Sequence, residues 1–464
     1  MTFSVILGSV ELFVGKGTGI RTFSRSLVAA LARAKVKSLD LLISSSSSTE
    51  SGVLAGSNIM QKHAKDARIA KILSVIRVKR RQYLSLPFFG SPPRLLRVAS
   101  RHPLHGALLD VCFEQASREY ATEFGSTLPG NTVSARGFLC GREIFIDALT
   151  SFKVARRLLR VRLPESAKTL INLPIVYHSP LPYPILVDGC KNVSTIHDLI
   201  PLSHPELCLD DPTYFYDLVD AILERFDGVH CISQYTVDQL KRFYGGKAEN
   251  KIFVAHQPIP LSHLSSSYEQ DALMRAASRH SGSSSGYKYI LQIGSIEPKK
   301  NHQTTLEAFR RLREQDQSLR LVIIGKPGWL TEDLCDYLLS AKPDGIDWLR
   351  SASYSTLTKY LQGATAVVFP SIVEGWGLPP LEAMSFGAPV VASPIAPCKE
   401  ACGSAALYME DPFDPISLSD NLQNILTDSD FVDHRIRAGF DQAKNYNSSR
   451  FAAEMLRGYA RLLC

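Results

Sequence analysis

The sequence predicts an α/β fold of two doubly wound, Rossmann-like domains. Short apolar strands alternate with amphipathic helical segments in both halves of the chain, the pattern of a parallel sheet covered by helices. A serine- and glycine-rich stretch at 281–286 has the composition of a flexible connector between the halves. A chain of 464 residues has room for two such domains.

The first domain, predicted over 1–280, begins with a strand at Phe3–Leu7. A glycine-rich loop containing Gly17 and Gly19 follows, and then a helical pattern over Ile20–Ala34. Such a loop lets the backbone N–H groups of a helix N-terminus approach an anion. We therefore expect a phosphate-binding loop here, and a plain turn is the alternative.

A basic insertion is predicted near 45–110. Between 61 and 101 the chain has eleven Lys and Arg residues and one acid, Asp66, a local charge of +10 against +7 for the whole chain. Two interpretations stay open: an anchor on a membrane surface that carries anionic lipid, and a solvated insertion that packs on its own domain. Zinc-finger, basic-zipper and RNA-binding motifs do not accompany the block, so we expect no nucleic-acid partner.

Two later strands of the first domain, predicted at Ile175–His178 and Asn192–Asp198, contain histidines at their ends. The carboxyl ends of parallel strands border the ligand crevice of an α/β sheet. We therefore expect His197 to face the cleft, where an imidazole can hydrogen-bond a ligand hydroxyl or take part in proton transfer. A satisfied histidine without a role is the alternative, and it weighs more for His178.

The second domain is predicted over 287–445. Its first strand, Tyr289–Gly294, leads into a loop with Lys299 and Lys300, and its second, Leu321–Gly325, is followed by Lys326. A lysine ammonium is a competent partner for phosphate, and it stabilises the charge that a departing diphosphate gains. Two solvated lysines would be the alternative.

A strand–turn–helix–strand unit spans Val367–Ser393. The turn contains Glu374, and the helix that follows Pro379 contains Glu382, eight residues later. A helix at 446–464 is predicted to end the chain.

Several phrases, taken together, resemble the retaining glycosyltransferases of family 4. The most specific are PSIVEGWGLPPLEA, with its paired glutamates, and IGSIEPKKNH; the loop GTGIRTFSRSLVAAL also fits the family. TIHDLIPLSHPE is similar to a subgroup of bacterial polysaccharide biosynthesis, many of whose members are mannosyltransferases. The resemblance covers the first forty residues and roughly 175–464. It implies the two-domain GT-B architecture, with the donor nucleotide on the second domain and a final helix that crosses back to the first.

The resemblance also implies residue roles. Glu382 would bind the ribose hydroxyls, Glu374 the hydroxyls of the donor sugar, and Lys300 the diphosphate. His197 would contact the sugar near the reacting centre, so His197 and Glu374 are the expected catalytic residues. The remaining expected donor-binding residues are Gly17, Gly19, Gly294, Lys299, Lys326, Gly375, Gly377 and Leu378.

GDP-mannose is the donor that the subgroup resemblance favours, with UDP-glucose or another nucleotide sugar as the alternative, and a saccharide or lipid-linked saccharide as the acceptor. An inactive nucleotide-sugar-binding scaffold in polysaccharide assembly is the alternative from another class. We expect no cofactor and no metal ion. The DxD string, which metal-dependent sugar transferases use, occurs at Asp428–Asp430, where a solvated turn between helices is the better interpretation.

The sequence also bears on location. Apolar runs stay below the ~18–20 residues that span a membrane, and the N-terminus lacks the basic region of a signal peptide. Nine scattered cysteines form no zinc-site pattern. We therefore expect a cytosolic protein with reduced thiols, in which the stretch 61–101 is the candidate for contact with the inner membrane face.

Overall fold

The computed structural model of the chain describes residues 3–8, 19–33, 38–45, 108–112, 134–141, 148–149, 152–153, 155–162, 174–247, 249–259, 266–280 and 287–464. Gly17, the basic block at 61–101 and the connector at 281–286 lie outside the described residues.

The first domain is built on a large sheet. Its strands and those of a small neighbouring pair are β1 Ser4–Gly8, β2 Ser38–Ser45, β3 Leu108–Cys112, β4 Ser134–Gly141, β5 Leu159–Arg162, β6 Ile175–Ser179, β7 Ile185–Asp188, β8 Lys191–Ile196, β9 Gly228–Cys231 and β10 Ile252–Val254. Within the described residues, the large sheet has the order β10-β9-β8-β6-β1-β2-β4-β3. Only β3 pairs antiparallel there, and β5 pairs with β7 in a separate sheet. The chain winds outward from β1 in both directions, which confirms the doubly wound prediction.

Helices cover this sheet, and those of the first domain with described bounds are α1 Gly19–Arg33, α2 Ile200–Ser203, α3 Pro212–Arg225 and α4 Gln234–Tyr244. Helix α4 begins at a side-chain cap, because the Ser233 hydroxyl accepts a hydrogen bond from the Thr236 N–H. It ends at Gly245, which has φ 63°. The start of α4 therefore lies just after the carboxyl end of β9, at the edge where the ligand crevice is expected.

The second domain is a parallel sheet with strands β11 Tyr289–Ile293, β12 Arg320–Ile324, β13 Ile346–Leu349, β14 Ala366–Phe369, β15 Val390–Ala392 and β16 Leu407–Tyr408. Its order is β13-β12-β11-β14-β15-β16. The remaining helices are α5 Ser266–His280, α6 His302–Gln315, α7 Glu332–Ser340, α8 Tyr354–Gly363, α9 Leu378–Ser385, α10 Ala396–Cys402, α11 Pro415–Thr427, α12 Ser429–Lys444 and α13 Ser448–Leu463. The predicted strands of this domain all exist, with ends that shift by about one residue.

Helix α5 corrects the predicted domain boundary. The sequence prediction placed it in the first domain, which was expected to extend to residue 280. Ala272 and Ala276 are instead buried in the core of the second domain, and Glu269 forms an ion pair with Lys444 of α12 at 3.6 Å. Packing therefore moves the boundary to the N-terminal side of Ser266.

Helix α13 packs on the first domain. Its Tyr459 is fully buried and lies edge-on against Phe3. A side chain at Gly458 would collide with the ring of Phe253, so the helix backbone approaches β10 closely. The last helix of the chain thus adds to the core of the first domain.

Candidate active site

The two domains meet where the carboxyl ends of their sheets face each other. Strand β8 ends at Ile196, so His197 and Asp198 lie in the loop after it rather than in the strand. From the other side, a side chain at Gly375 would collide with the His197 carbonyl oxygen. The Ser233 hydroxyl donates a hydrogen bond to the Gly375 carbonyl oxygen at 2.8 Å. The turn of the second domain therefore touches the first directly, and a glycine permits this approach.

The structure brings Lys300 and Glu374 together. The Lys300 ammonium donates to a Glu374 carboxylate oxygen at 2.5 Å, and the two side chains are 16% and 14% exposed. The ammonium also lies 5.3 Å from the ring centroid of Phe369, at the end of β14. Gly294, with φ 151°, follows β11 and leaves room for the Lys300 stem. Two oppositely charged groups from two loops thus meet at one point of the cleft.

Lys299 and Asp198 extend this charged cluster across the domain boundary. Burial opposes the charged form of Lys299, but Glu374, Glu297 and Asp198 together raise its pKa. Burial raises the pKa of the Asp198 carboxyl, and Lys299 acts against that rise. One Asp198 oxygen accepts from the Ile200 N–H at 3.0 Å. A carboxyl group of the first domain therefore interacts electrostatically with Lys299 of the second.

His197 is held in one tautomer. Its Nε2 lies 2.8 Å from the Pro180 carbonyl oxygen, which only accepts, so Nε2 carries the proton. The ring packs edge-on against Phe23 at a centroid distance of 4.9 Å. Burial lowers the pKa of His197 to about 4. The imidazole is therefore neutral near pH 7 and presents Nδ1 as an acceptor, which favours hydroxyl binding over proton transfer.

Glu382 has a different environment from Glu374. It lies on α9, half-buried, and its carboxylate forms no hydrogen bond or ion pair within the described residues. Burial alone raises the pKa of Glu382 to about 8. A desolvated carboxyl group without a partner is available for ligand hydroxyl groups.

The other predicted donor-binding residues surround these loops. Gly377 precedes α9 and Leu378 begins it, so backbone N–H groups are available there. Lys326 follows β12 and is exposed, while its carbonyl oxygen accepts from the Ile296 N–H at 2.9 Å. Gly19 is the first residue of α1.

Sequence reasoning missed several residues of the cleft. Asp198 directly follows the predicted histidine, and Ser233 is the cap of α4. Glu400 of α10 crosses the domain boundary, and its two carboxylate oxygens accept from the N–H groups of Gln234 at 2.6 Å and Tyr235 at 2.9 Å. The sequence contains local signals for two of these residues, since Asp198 belongs to a His-Asp pair and Ser233 stands at a helix cap position. Neither signal identifies the residue to which the side chain bonds.

The described residues also bear on metal binding and on membrane spanning. Among the described residues, no group of His, Cys, Asp or Glu side chains is arranged to hold a metal ion. Asp428, of the DxD string, caps α12 by accepting from the Phe431 N–H at 2.9 Å, and Asp430 lies in the first turn of that helix. In the part of the chain that the structure describes, no helix has the length and apolar character needed to cross a membrane.

Comparisons with known proteins agree with this picture. The profile of the family described as glycosyl transferases group 1 matches residues 274–442. The O-antigen chain mannosyltransferase B of Escherichia coli is 32% identical over 178 residues, covering 38% of this chain and 46% of that protein. The O-antigen chain mannosyltransferase RfbU of Salmonella typhimurium is 28% identical over 258 residues, covering 54% and 66%. The serotype-specific mannosyltransferase WbdA of Escherichia coli is 27% identical over 226 residues, covering 46% and 27%. The matches thus span between about a quarter and two thirds of the relatives' own length.

Solved structures extend the likeness to both domains. Sucrose-phosphate synthase from Thermosynechococcus elongatus superposes with a TM-score of 0.61 at 16% identity, covering 100% of this chain and 99% of that one. Anabaena HepE, solved with UDP and glucose, gives a TM-score of 0.53 at 12% identity, covering 99% and 100%. At such identities the likeness concerns the fold, which is the two-domain architecture of glycosyltransferases. The similarity to the glycosyl transferases group 1 family lies in residues 274–442, which form most of the second domain.

Proposed function

We propose that this protein is a retaining hexosyltransferase that moves mannose from GDP-mannose to a saccharide or lipid-linked saccharide in cell-surface polysaccharide biosynthesis. The observation that carries the proposal is the Lys300–Glu374 contact, which lies on a turn that touches the His197 loop at Gly375. The named relatives, which are mannosyltransferases, support the choice of mannose. Cytosolic location is part of the same proposal.

Each member of the Lys300–Glu374 pair would change partners when the donor binds. The ammonium would move to the diphosphate oxygens, and the carboxylate would accept hydrogen bonds from sugar hydroxyl groups. Without the donor, the pair neutralises two charges that are mostly withdrawn from water. Glu382, on its own helix, would receive the ribose hydroxyl groups.

The reaction breaks the bond between the anomeric carbon and the phosphate oxygen, and the nucleoside diphosphate leaves with the electron pair. Lys299 and Lys300 would stabilise the negative charge that this oxygen gains. The acceptor oxygen would bond to the same face of the sugar, and its proton would pass to the leaving phosphate. His197, neutral at physiological pH, would accept a hydrogen bond from a sugar hydroxyl and would hold the ring near the reacting carbon.

Two alternatives predict different ligands. A UDP-glucose enzyme would prefer UDP, and an inactive scaffold would bind a nucleotide sugar without turnover. The Lys300–Glu374 pair, whose turn touches the His197 loop at Gly375, argues against the scaffold. The preference for guanine over uracil in the donor nucleotide is part of the proposal.

Thermal shift and turnover test the proposal. We expect GDP to raise the melting temperature more than UDP at equal concentration, since stabilisation grows as RT ln(1 + [L]/Kd). We then expect GDP-mannose to be consumed, and Lys300→Met to weaken the shift with GDP. A larger shift with UDP would contradict the mannose assignment, and nucleotide-sugar binding without consumption would favour the scaffold.

A further inference from the structure

We infer that Ser233 and His256, both of the first domain, are positioning residues for the turn that carries Glu374. The inference rests on the proposed function, because it concerns the contact of Glu374 with the donor sugar. It goes beyond that function by assigning roles to residues that touch neither donor nor acceptor.

Ser233 holds the turn through one buried hydroxyl group. Its side chain is fully buried, and its oxygen accepts from the Thr236 N–H at 3.1 Å while donating to the Gly375 carbonyl oxygen at 2.8 Å. The Thr236 hydroxyl in turn donates to the His197 carbonyl oxygen at 3.0 Å. The first turn of α4 therefore holds the loop with His197 and the turn with Glu374 at the same time.

His256 holds the next residue of the turn. Its ring centroid lies 5.1 Å from that of Trp376, and Trp376 is 5% exposed. His256 Nε2 donates to a Glu400 carboxylate oxygen at 3.0 Å, and its backbone N–H donates to Glu454 at 3.1 Å. Burial disfavours the charged ring, but these two carboxylates raise the pKa of His256 to about 9. Near pH 7 an imidazolium therefore lies against the indole, a cation–π arrangement.

Glu400 joins these contacts into one cluster. It belongs to α10 of the second domain, yet it caps α4 through the N–H groups of Gln234 and Tyr235. Bonds from α4, α10 and α13 thus meet around the turn. The titratable and charged groups around His256 are Glu400 of α10, Glu454 and, through it, Arg450 of α13, Tyr446 just before α13, and His230 of β9.

The arrangement predicts a specific coupling. Because Gly375 and Trp376 directly follow Glu374, loosening either contact would let the Glu374 carboxylate leave its place. Replacing Ser233 or His256 should therefore lower kcat/KM, because Glu374 is no longer held in place. In a variant that already lacks the Glu374 carboxylate, the same replacements should lower kcat/KM only slightly.

A double-mutant cycle tests the coupling. Ser233→Ala and His256→Gln are each made in the wild type and in Glu374→Gln, and kcat/KM for GDP-mannose is measured. We expect each to lower kcat/KM roughly 10-fold in the wild type and less than about 2-fold in Glu374→Gln, while calorimetry with GDP gives an unchanged affinity. Equal losses in both backgrounds would overturn the inference.

Ser353→Ala is the matched control for Ser233→Ala. Ser353 caps α8 by the same bond, to the Thr356 N–H at 3.1 Å, but its hydroxyl contacts no residue of the turn within the described chain. Both variants lose a helix cap, so the difference between them isolates the bond to Gly375. We expect Ser353→Ala to keep the wild-type kcat/KM.

Two pH titrations test His256. The kcat of the wild type should fall as pH rises through about 9, where the imidazolium loses its proton, and His256→Gln should lack this step. Protonated imidazole quenches indole fluorescence, so Trp376 emission should rise over the same range in the wild type and not in His256→Gln, with Trp376→Phe as the baseline.

The fluorescence measurement needs no substrate, so it separates the two proposals. Absence of GDP-mannose turnover in the wild type would count against the proposed function alone. Identical emission titrations of the wild type and His256→Gln would overturn the contact between His256 and Trp376 regardless of the reaction.

Discussion

The two glutamates of the turn and helix after β14 have different partners. Glu374 pairs with Lys300 at 2.5 Å, whereas burial without a partner raises the pKa of Glu382 to about 8. A paired carboxylate must exchange its partner when a ligand binds, while an unpaired one gains hydrogen bonds that it lacked. Two glutamates that lie eight residues apart in the sequence are therefore expected to interact with a ligand in different ways.

Replacing each glutamate by glutamine should separate these uses. Glu382 is assigned to the ribose, which does not change during the reaction, so Glu382→Gln should raise KM for the donor about 10- to 100-fold with a smaller effect on kcat. Glu374 is assigned to the sugar that gains positive charge, so Glu374→Gln should lower kcat. The measurement is steady-state kinetics, with calorimetry on bare GDP.

Calorimetry tests whether Glu374 and Glu382 are assigned to the correct parts of the donor. GDP affinity should stay near the wild-type value in Glu374→Gln and fall in Glu382→Gln. The reverse result would mean that the roles of the two residues are exchanged, and that the donor lies in the opposite direction in the cleft.

Glu382→Gln should also change how stability depends on pH. The pKa of Glu382 is raised from 4.5 to about 8 in the folded protein. Between these values the folded state holds a proton that the unfolded state has released, so stability is lost as pH rises through this window. Glutamine does not titrate, so the variant lacks this loss of stability. The melting temperature of the variant relative to the wild type should therefore be higher at about pH 8 than at about pH 5, and a constant difference would contradict the raised pKa.

At the scale of elements, α13 is joined to the first sheet by a directed chain of hydrogen bonds. His230 Nε2 must donate to the Ala255 carbonyl oxygen at 2.9 Å, so its Nδ1 accepts from the Thr195 hydroxyl at 3.0 Å. Thr195 then accepts from His178 Nε2 at 2.7 Å. His178 Nδ1 is left to accept from the Tyr459 hydroxyl at 2.5 Å. Every polar group in this chain has a partner, and each histidine is neutral because burial lowers its pKa.

Tyr459→Phe tests this chain. Removing the hydroxyl leaves the buried His178 Nδ1 without its donor, and an unsatisfied buried group costs about 1–3 kcal/mol. We expect the free energy of unfolding in urea to fall by that amount. Tyr287→Phe, at a residue that is 53% exposed, is the matched control and should show no change. Equal stability of the two variants would mean that the bond to His178 contributes nothing.

At the scale of the whole molecule, the cleft itself supplies the positive charge that a diphosphate needs. Lys299 and Lys300 lie beside Glu374, and backbone N–H groups are available at the start of α9. We therefore predict that turnover continues in EDTA. Loss of activity with EDTA, restored by Mg²⁺ or Mn²⁺, would refute this prediction.

The basic block at 61–101 is a second whole-molecule feature, and it stays a prediction because it lies outside the described residues. Attraction to anionic lipid is worth up to ~1 kcal/mol per Lys or Arg near the surface. The protein should co-sediment with phosphatidylserine-containing vesicles and not with neutral ones. Replacing Arg77, Lys79, Arg80 and Arg81 with Ser should reduce the bound fraction, and unchanged co-sedimentation would favour the solvated insertion.

The sequence by itself predicted the strands that flank the candidate site and the turns that follow them, whereas β2 to β5 and β7 of the first domain were not predicted. Strand β14, the glycines of the following turn and the start of α9 are local features, because turn geometry and helix starts depend on neighbouring residues. Glu374, Glu382 and Lys300 could be named for the same reason, since short motifs carry them.

Only the tertiary structure decided which groups meet. Periodicity shows that α5 has an apolar face, but not that Ala272 packs on the second domain. Its position at the end of a strand predicted that His197 faces the cleft, yet its neutral state depends on burial and on the Pro180 carbonyl oxygen. The bonds of Ser233 and Glu400 to residues more than a hundred positions away have no local signature, because a cap position or a carboxylate specifies a bonding capacity and not the partner that fills it.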